Sequence, residues 1–170
     1  MSKKILIFSF VVLCIFSLTA CGEKTLMEKG IEKQIEKNLG GNVDLDLKNE
    51  GMKIETENGV TLETGENVSL PTDFPKDVFV PEGKIISAMK NVMGEGYQLV
   101  IKSDQKSEDI KKSVEEKLTA EGWNMNQSAD LNGIIMLGGK KDSRTVSVTI
   151  SADSEDQNKM VVIVNVFEMK

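Results

Sequence analysis

The sequence predicts an α+β fold: an antiparallel sheet packed by one helix in two layers, preceded by a short amphipathic helix and a small β-meander. Three observations predict it. Apolar residues recur at helical spacing in only two short stretches, near 25–39 and 107–121. Elsewhere they mostly alternate with polar residues at period two, in short runs broken by glycine and asparagine. From residue 84 the order reads strand, strand, helix, then four strands. Strands joined by tight turns pair antiparallel.

Residues 1–20 read as a signal peptide rather than as part of the fold. Lys3 and Lys4 supply the positive start, and Ile5 to Ala20 is an apolar run too short for a comfortable spanning helix. The run ends Leu18-Thr19-Ala20-Cys21-Gly22. Leucine, two small residues and then cysteine resembles the lipobox of bacterial lipoproteins. That resemblance implies a diacylglycerol on the sulfur of Cys21 and cleavage just before it, which makes Cys21 the first residue of the mature chain. Two acyl chains of about 16 carbons each, at ~0.8 kcal/mol per buried CH₂, anchor stably, whereas one holds only marginally. The implied location is the extracytoplasmic face of the cell membrane, with the membrane itself as a partner through the lipid at Cys21.

The next stretch, 21–42, holds the lipidated N-terminus and an amphipathic helix from about Thr25 to Leu39. Met27, Ile31, Ile35 and Leu39 form one narrow apolar stripe, with Glu and Lys stripes beside it. Lys29–Glu32 and Lys33–Glu36 are spaced to pair along it. Gly40-Gly41 offers a left-handed stop. So short a helix needs a surface to cover, and the protein's own sheet is the expected one.

Residues 43–69 read as a β-meander. Val43, Leu45 and Leu47 alternate with charges, as do Met52 and Ile54 before Asn58-Gly59 and Val60 and Leu62 after it. A two-residue Asn-Gly loop would put the apolar residues of the two strands on opposite faces. A three-residue loop of Glu57, Asn58 and Gly59 pairs Ile54 with Leu62 and Met52 with Thr64, which gathers them on one face. The three-residue loop is therefore expected.

Residues 70–83 form a linker that contains all three prolines, Pro71, Pro75 and Pro81. Proline restrains its own φ and the residue before it, so the backbone there is expected to be extended. Phe74, Val78 and Phe79 suggest a segment that lies along a surface.

The α+β domain covers 84–170. Ile85–Met89 and Tyr97–Ser103 flank a Gly94-Glu95-Gly96 turn. Ser107 is placed to cap a helix running to Glu121, with Glu108 and Asp109 at its positive end. Ile110, Val114 and Leu118 form its buried stripe, and Gly122 stops it. Trp123 to Ala129 alternate, Asn132-Gly133 turns the chain into Ile134–Gly138, and Val146, Val148 and Ile150 alternate with threonine and serine. Val161–Phe167 is apolar on both faces except at Asn165, so an interior strand covered on both sides is expected, with the N-terminal helix or the linker aromatics as covers.

Composition removes whole classes of function. There is no histidine, which excludes a Ser-His-Asp triad, a Cys-His pair and the common His-ligated zinc sites. Of the two cysteines, Cys14 leaves with the signal and Cys21 carries lipid, so no disulfide, thiolate nucleophile or Cys₄ site remains. The signal holds two lysines and no acid, so its removal takes the net charge from −6 to −8. That balance opposes nucleic acid, and Arg144 is the only arginine among 21 basic residues. The mature aromatics, Phe74, Phe79, Tyr97, Trp123 and Phe167, are few for base or sugar stacking.

The remaining chemical candidates are weak. Asp44-Leu45-Asp46 starts like a calcium loop, but Lys48 and Asn49 break the pattern. Asp153, Glu155 and Asp156 could hold a Ca²⁺ ion weakly, and a solvated turn explains them as well. Gly133 to Lys140 nearly spells a phosphate loop but reads as a strand. Ser87-x-x-Lys90 and Ser103-x-x-Lys106 echo the serine–lysine motif of penicillin-binding proteins without its companions. Met89 and Met93 are better read as core filler than as copper ligands. No catalytic residue, metal ligand or cofactor is assigned.

The order of lipobox, Glu/Lys-rich helix, Val-Asp-Leu-Asp strand and Asn-Gly hairpin is followed by Leu70-Pro71, Phe74-Pro75-Lys76-Asp77-Val78 and Pro81-Glu82-Gly83. Together with the later helix that ends Glu121-Gly122-Trp123 before its strands, this resembles small uncharacterised lipoproteins of Gram-positive bacteria. The resemblance implies a C-terminal α+β domain and carries no activity. The expected function is a non-enzymatic binding or interaction module at the cell envelope, with an envelope protein as partner. The alternatives are a small-ligand or metal-binding lipoprotein and a carboxylate-dependent hydrolase.

Overall fold

The computed structural model describes residues 26–39, 43–46, 51–56, 59–91 and 95–168. The signal segment 1–20, Cys21, the Gly40-Gly41 stop, Asn58, Met93 and Gly94 lie outside the described residues. Among those described, no helix is long and apolar enough to cross a membrane.

Helix α1 (Leu26–Leu39) precedes strands β1 (Val43–Asp46), β2 (Met52–Thr56) and β3 (Thr61–Thr64). After the linker come β4 (Lys84–Lys90), β5 (Gly96–Ser103), helix α2 (Ser107–Ala120), β6 (Asn124–Leu131), β7 (Ile134–Lys141), β8 (Arg144–Ala152) and β9 (Met160–Glu168). All strands join one antiparallel sheet in the order β1-β2-β3-β4-β5-β9-β8-β7-β6. The crossover through α2 carries the chain from β5 to the far edge. Strands β6 to β9 then return, and β9 closes the gap beside β5.

The α+β class holds, but the arrangement is mostly sheet rather than one helix on a two-layer domain. The meander is not a separate sheet that precedes the rest. Strand β3 pairs with β4, with Leu62 opposite Met89 and Thr64 opposite Ser87. A free-standing meander would leave that row of backbone groups unpaired, and β4 supplies the partner. Helix α1 lies against β1 at the other end of the sheet from α2.

The meander hairpin has the expected register: Ile54 opposes Leu62 and Met52 opposes Thr64. Gly59 takes φ +74°, the left-handed conformation that the three-residue loop requires. The resulting apolar face is covered by Ile31 of α1, which packs with Ile54, Met52 and Leu62.

Residues directly opposite one another in an antiparallel pair share a face, so the registers define an inner and an outer face. On the inner face Leu99, Ile101, Leu137, Val146, Val148, Ile150, Val162 and Val164 are buried beneath Ile110, Val114 and Leu118 of α2. Each such side chain removed from water contributes about 1.5–3 kcal/mol. Helix α2 ends as a Schellman motif. Trp123 N–H donates to the Leu118 carbonyl and Gly122 N–H to the Thr119 carbonyl, both at 3.0 Å, with Gly122 at φ +86°. That stop turns Trp123 down into the core, where it is 2% exposed.

Two local expectations outside the linker need correction. Ser107 is not the helix cap. Lys106 occupies that position, and its carbonyl accepts the Ile110 N–H at 3.1 Å, with no side-chain cap bond. Glu108 and Asp109 in the first turn supply the negative charge that the helix start favours.

Nor is β9 covered on both sides among the described residues. Val162, Val164 and Val166 are buried, whereas Val161, Ile163, Asn165 and Phe167 are half-buried on the outer face. Phe74 packs on the inner face and α1 lies against β1, so neither expected cover reaches them. Their shielding comes from flanking strands. Asn165 sits in a polar row, accepting from Gln98 Nε2 at 2.7 Å and donating to Ser147 Oγ at 3.3 Å.

Candidate functional site

The densest polar chemistry lies where the linker crosses the inner end of the sheet. The linker is not the extended segment its prolines suggested but folds as two successive turns, because a proline carbonyl still accepts a hydrogen bond although proline has no N–H to donate. Phe74 N–H donates to the Pro71 carbonyl at 3.0 Å and Val78 N–H to the Pro75 carbonyl at 3.1 Å. Pro71-Thr72-Asp73-Phe74 and Pro75-Lys76-Asp77-Val78 thus repeat one pattern of proline, any residue, aspartate and apolar residue. In each turn the proline opens it, the apolar fourth residue is buried in the core, and the aspartate meets a cation from the sheet.

Asp77 is held most tightly. Arg144 at the start of β8 donates Nη1 to Oδ1 at 2.9 Å and Nη2 to Oδ2 at 2.6 Å, a two-pronged match of guanidinium to carboxylate. Lys141 Nζ reaches the same Oδ2 at 2.7 Å and the Glu121 carbonyl at 2.6 Å. Trp123 Nε1 donates to the Asp77 carbonyl at 2.7 Å, and the Arg144 guanidinium lies over the indole ring at 5.1 Å. The Arg144 hydrogen bonds hold the Asp77 carboxyl far below its ordinary range, against the opposing effect of burial.

Asp73 is the lighter counterpart. Its carboxylate meets Lys90 Nζ, and its carbonyl accepts Tyr97 Oη–H at 3.1 Å. Lys90 also lies over the Tyr97 ring, which packs edge-on against Phe74 at 5.4 Å. The Lys90 hydrogen bond lowers the Asp73 pKa, and the same bond raises that of Lys90. Burial and then the bond to Asp73 raise the Tyr97 phenol.

A cavity of about 230 Å³ opens beside this cluster, with Pro75, Asn91, Tyr97, Arg144, Phe167 and Glu168 on its walls. Most of its polar groups already bond to protein. Arg144 forks Asp77, the Asn91 side chain bonds Gly59 and Gly96, Tyr97 bonds Asp73, and Glu168 accepts Ser143 Oγ–H at 3.3 Å. The arrangement works chemically as an ionic clamp on the linker, with room beside it for a small molecule.

The sequence candidates are not brought together. Ser87 lies on the outer side of β4 and Lys90 on the inner side, so they form no serine–lysine pair. Ser103 Oγ donates to the Glu82 carbonyl at 2.7 Å. Gly133 to Lys140 runs through a turn and strand β7. In the acidic loop, Lys102 Nζ stands 2.8 Å from Asp153 and 3.2 Å from Glu155, while Asp156 accepts from Asn158. An ammonium group thus takes the cation's place. The Lys102 ammonium beside it lowers the Asp153 pKa, and the Asp153 carboxylate in turn raises that of Lys102. Among the described residues no three His, Cys, Asp or Glu side chains converge as a metal would need. The side chains of Asp44 and Asp46, like Cys21, lie outside the described residues.

Sequence reasoning gave neither Asp73 nor Asp77 a role, and it noted Lys90 and Arg144 only for other reasons. Two signals could have found them: the tandem proline–aspartate pattern, and the single arginine of the chain. The sequence matches no family model, and no curated protein or solved structure matches it.

Proposed function

We propose that the chain is a membrane-anchored extracytoplasmic lipoprotein that acts as a non-enzymatic binding or interaction module at the cell envelope. One observation carries this reading: the apolar run after Lys3-Lys4 ends in Leu18-Thr19-Ala20-Cys21. The sheet domain adds support. Its most strongly shifted carboxylate, Asp77, is stabilised as an anion by Arg144 and Lys141, which suits a structural tie better than proton transfer. The outer face of the sheet carries half-buried Val100, Ile163 and Phe167 and the exposed Met136, a surface open to a partner.

The test is in-cell crosslinking followed by mass spectrometry, with Cys21→Ser as the control. The expected result is loss of lipid attachment in Cys21→Ser and one dominant envelope partner for the parent chain. Normal cleavage with unchanged membrane retention in Cys21→Ser would refute the anchor. Absence of any protein partner would refute the module. The second reading is small-ligand binding in the cavity beside Arg144. At about 230 Å³ it lies below the ~300–1,000 Å³ of pockets for drug-sized ligands, so only a small ligand fits.

A further inference from the structure

Strand β6 is the outer strand at the end of the sheet remote from α1, and it pairs only with β7. The backbone N–H and C=O groups on its far side therefore have no strand partner among the described residues. Natural proteins blunt such edges with proline, lysine, inward charges or bulges. The first half of β6 has that protection, a bulge between Met125 and Gln127. The second half does not. Gln127 to Leu131 is regular, contains no proline and no cation, and is exposed at every position. Its one charge, Asp130, stands opposite Ile135 on the inner face, but it is engaged by the hairpin turn, where Oδ1 accepts the Gly133 N–H at 3.0 Å.

The same hairpin carries an apolar patch. Among the described residues the exposed large hydrophobics are Leu70, Leu131, Ile134 and Met136, and three of these four lie here. Gln127, Ala129 and Leu131 oppose Gly138, Met136 and Ile134, so all sit on the outer face. An edge without bulge, proline or cation and an exposed apolar patch thus coincide.

We propose that Gln127–Leu131 is a self-association edge: two copies of this chain pair β6 to β6, antiparallel, about a two-fold axis at Ala129. In that register Ala129 faces Ala129 of the second copy, Gln127 faces Leu131, and Ser128 faces Asp130. No like charges meet, and the Leu131, Ile134 and Met136 patches of both copies fall on one side of the joined sheet. Neighbouring registers fail for physical reasons. An axis at Asp130 sets two carboxylates opposite each other. An axis at Ser128 runs the pairing into the bulge. An axis between residues joins the outer face of one copy to the inner face of the other and separates the patches. The contact is isologous, so it closes as a dimer. It depends on the sheet alone, not on the lipid anchor.

Cysteine crosslinking tests this in cells that make the full chain with Cys14→Ser and Cys21→Ser, which leaves no other thiol in the sequence. Directly opposed residues on antiparallel strands are about 4.5–5.5 Å apart at Cα, within disulfide reach. Under mild oxidation Ala129→Cys is expected to give a covalent dimer at least tenfold faster than Lys112→Cys on the exposed side of α2. Chains with Gln127→Cys and chains with Leu131→Cys should crosslink to each other in preference to themselves. Ala129→Glu, which sets two carboxylates face to face, should cut formaldehyde-captured dimer at least tenfold. Equal rates at 129 and 112, a dimer that survives Ala129→Glu, or a dominant adduct of the Ala129→Cys thiol with a different protein would each overturn the proposal.

Discussion

The two turns of the linker share nearly one local sequence and carry different weights. In both, a proline carbonyl accepts the N–H of the fourth residue, and that fourth residue, Phe74 or Val78, is buried. In both, the third residue is an aspartate that meets a cation from the sheet. The surroundings differ. The carbonyls of both accept from an aromatic side chain, Tyr97 for Asp73 and Trp123 for Asp77, but the Asp73 side chain is 52% exposed and meets one lysine, whereas that of Asp77 is 21% exposed and meets an arginine fork and a lysine. Local sequence sets the turn. Burial and the number of partners set how firmly the turn is held.

The largest expected break in this comparison is Trp123→Ala. Trp123 is almost fully buried, orders the Asp77 backbone and backs the Arg144 guanidinium, so its loss should cost about 3–5 kcal/mol in urea unfolding. Arg144→Ala comes next. It leaves a mostly buried carboxylate with only Lys141, and the expected cost is about 1.5–3 kcal/mol. Arg144→Lys should recover part of that, because a lysine keeps the charge but cannot fork. At the lighter turn, Lys90→Ala should cost about 0–1 kcal/mol, the range of solvent-exposed pairs. A loss there as large as that of Arg144→Ala would erase the distinction drawn between the turns.

Acidification probes the same two ion pairs without a substitution. The folded Asp77 titrates well below its unfolded value, so its ion pair stabilises the fold above that unfolded value. With an unfolded carboxyl near pH 3.9, the contribution is lost progressively as pH falls below about 4 toward the folded value. Asp77→Asn should therefore flatten the stability profile on the acid side. Asp73→Asn should flatten it less, since Asp73 is lowered chiefly by one exposed lysine.

Much of this architecture was legible in the sequence. The hairpin register followed from a parity argument on Ile54, Met52, Leu62 and Thr64, because a one-residue slip would move a whole apolar set to the wrong face. The Ile110, Val114 and Leu118 stripe and the Gly122 stop followed from helical spacing and from glycine's access to positive φ. What the sequence hid was long-range. That β3 pairs with β4 depends on the linker bringing the strands together, and no local pattern states it. The apolar residues on both sides of β9 suggested two covers. Flanking strands shield Ile163 and Phe167 without one, and periodicity cannot separate those cases. Ser107 was a good cap by residue type, yet the helix starts one residue earlier in its hydrogen bonding. The clamp was half visible. The two Pro-x-Asp-apolar units stand in the sequence, but their partners Lys90, Lys141 and Arg144 lie 17, 64 and 67 residues away.

The most direct test of the clamp is a pair of double-mutant cycles read by urea unfolding. One cycle combines Asp77→Ala with Arg144→Ala, the other Asp73→Ala with Lys90→Ala. The expected coupling is about 1.5–3 kcal/mol for the first pair and below about 1 kcal/mol for the second. Equal couplings, or a negligible one for Asp77 and Arg144, would contradict the claim that this pair fixes the linker to the sheet.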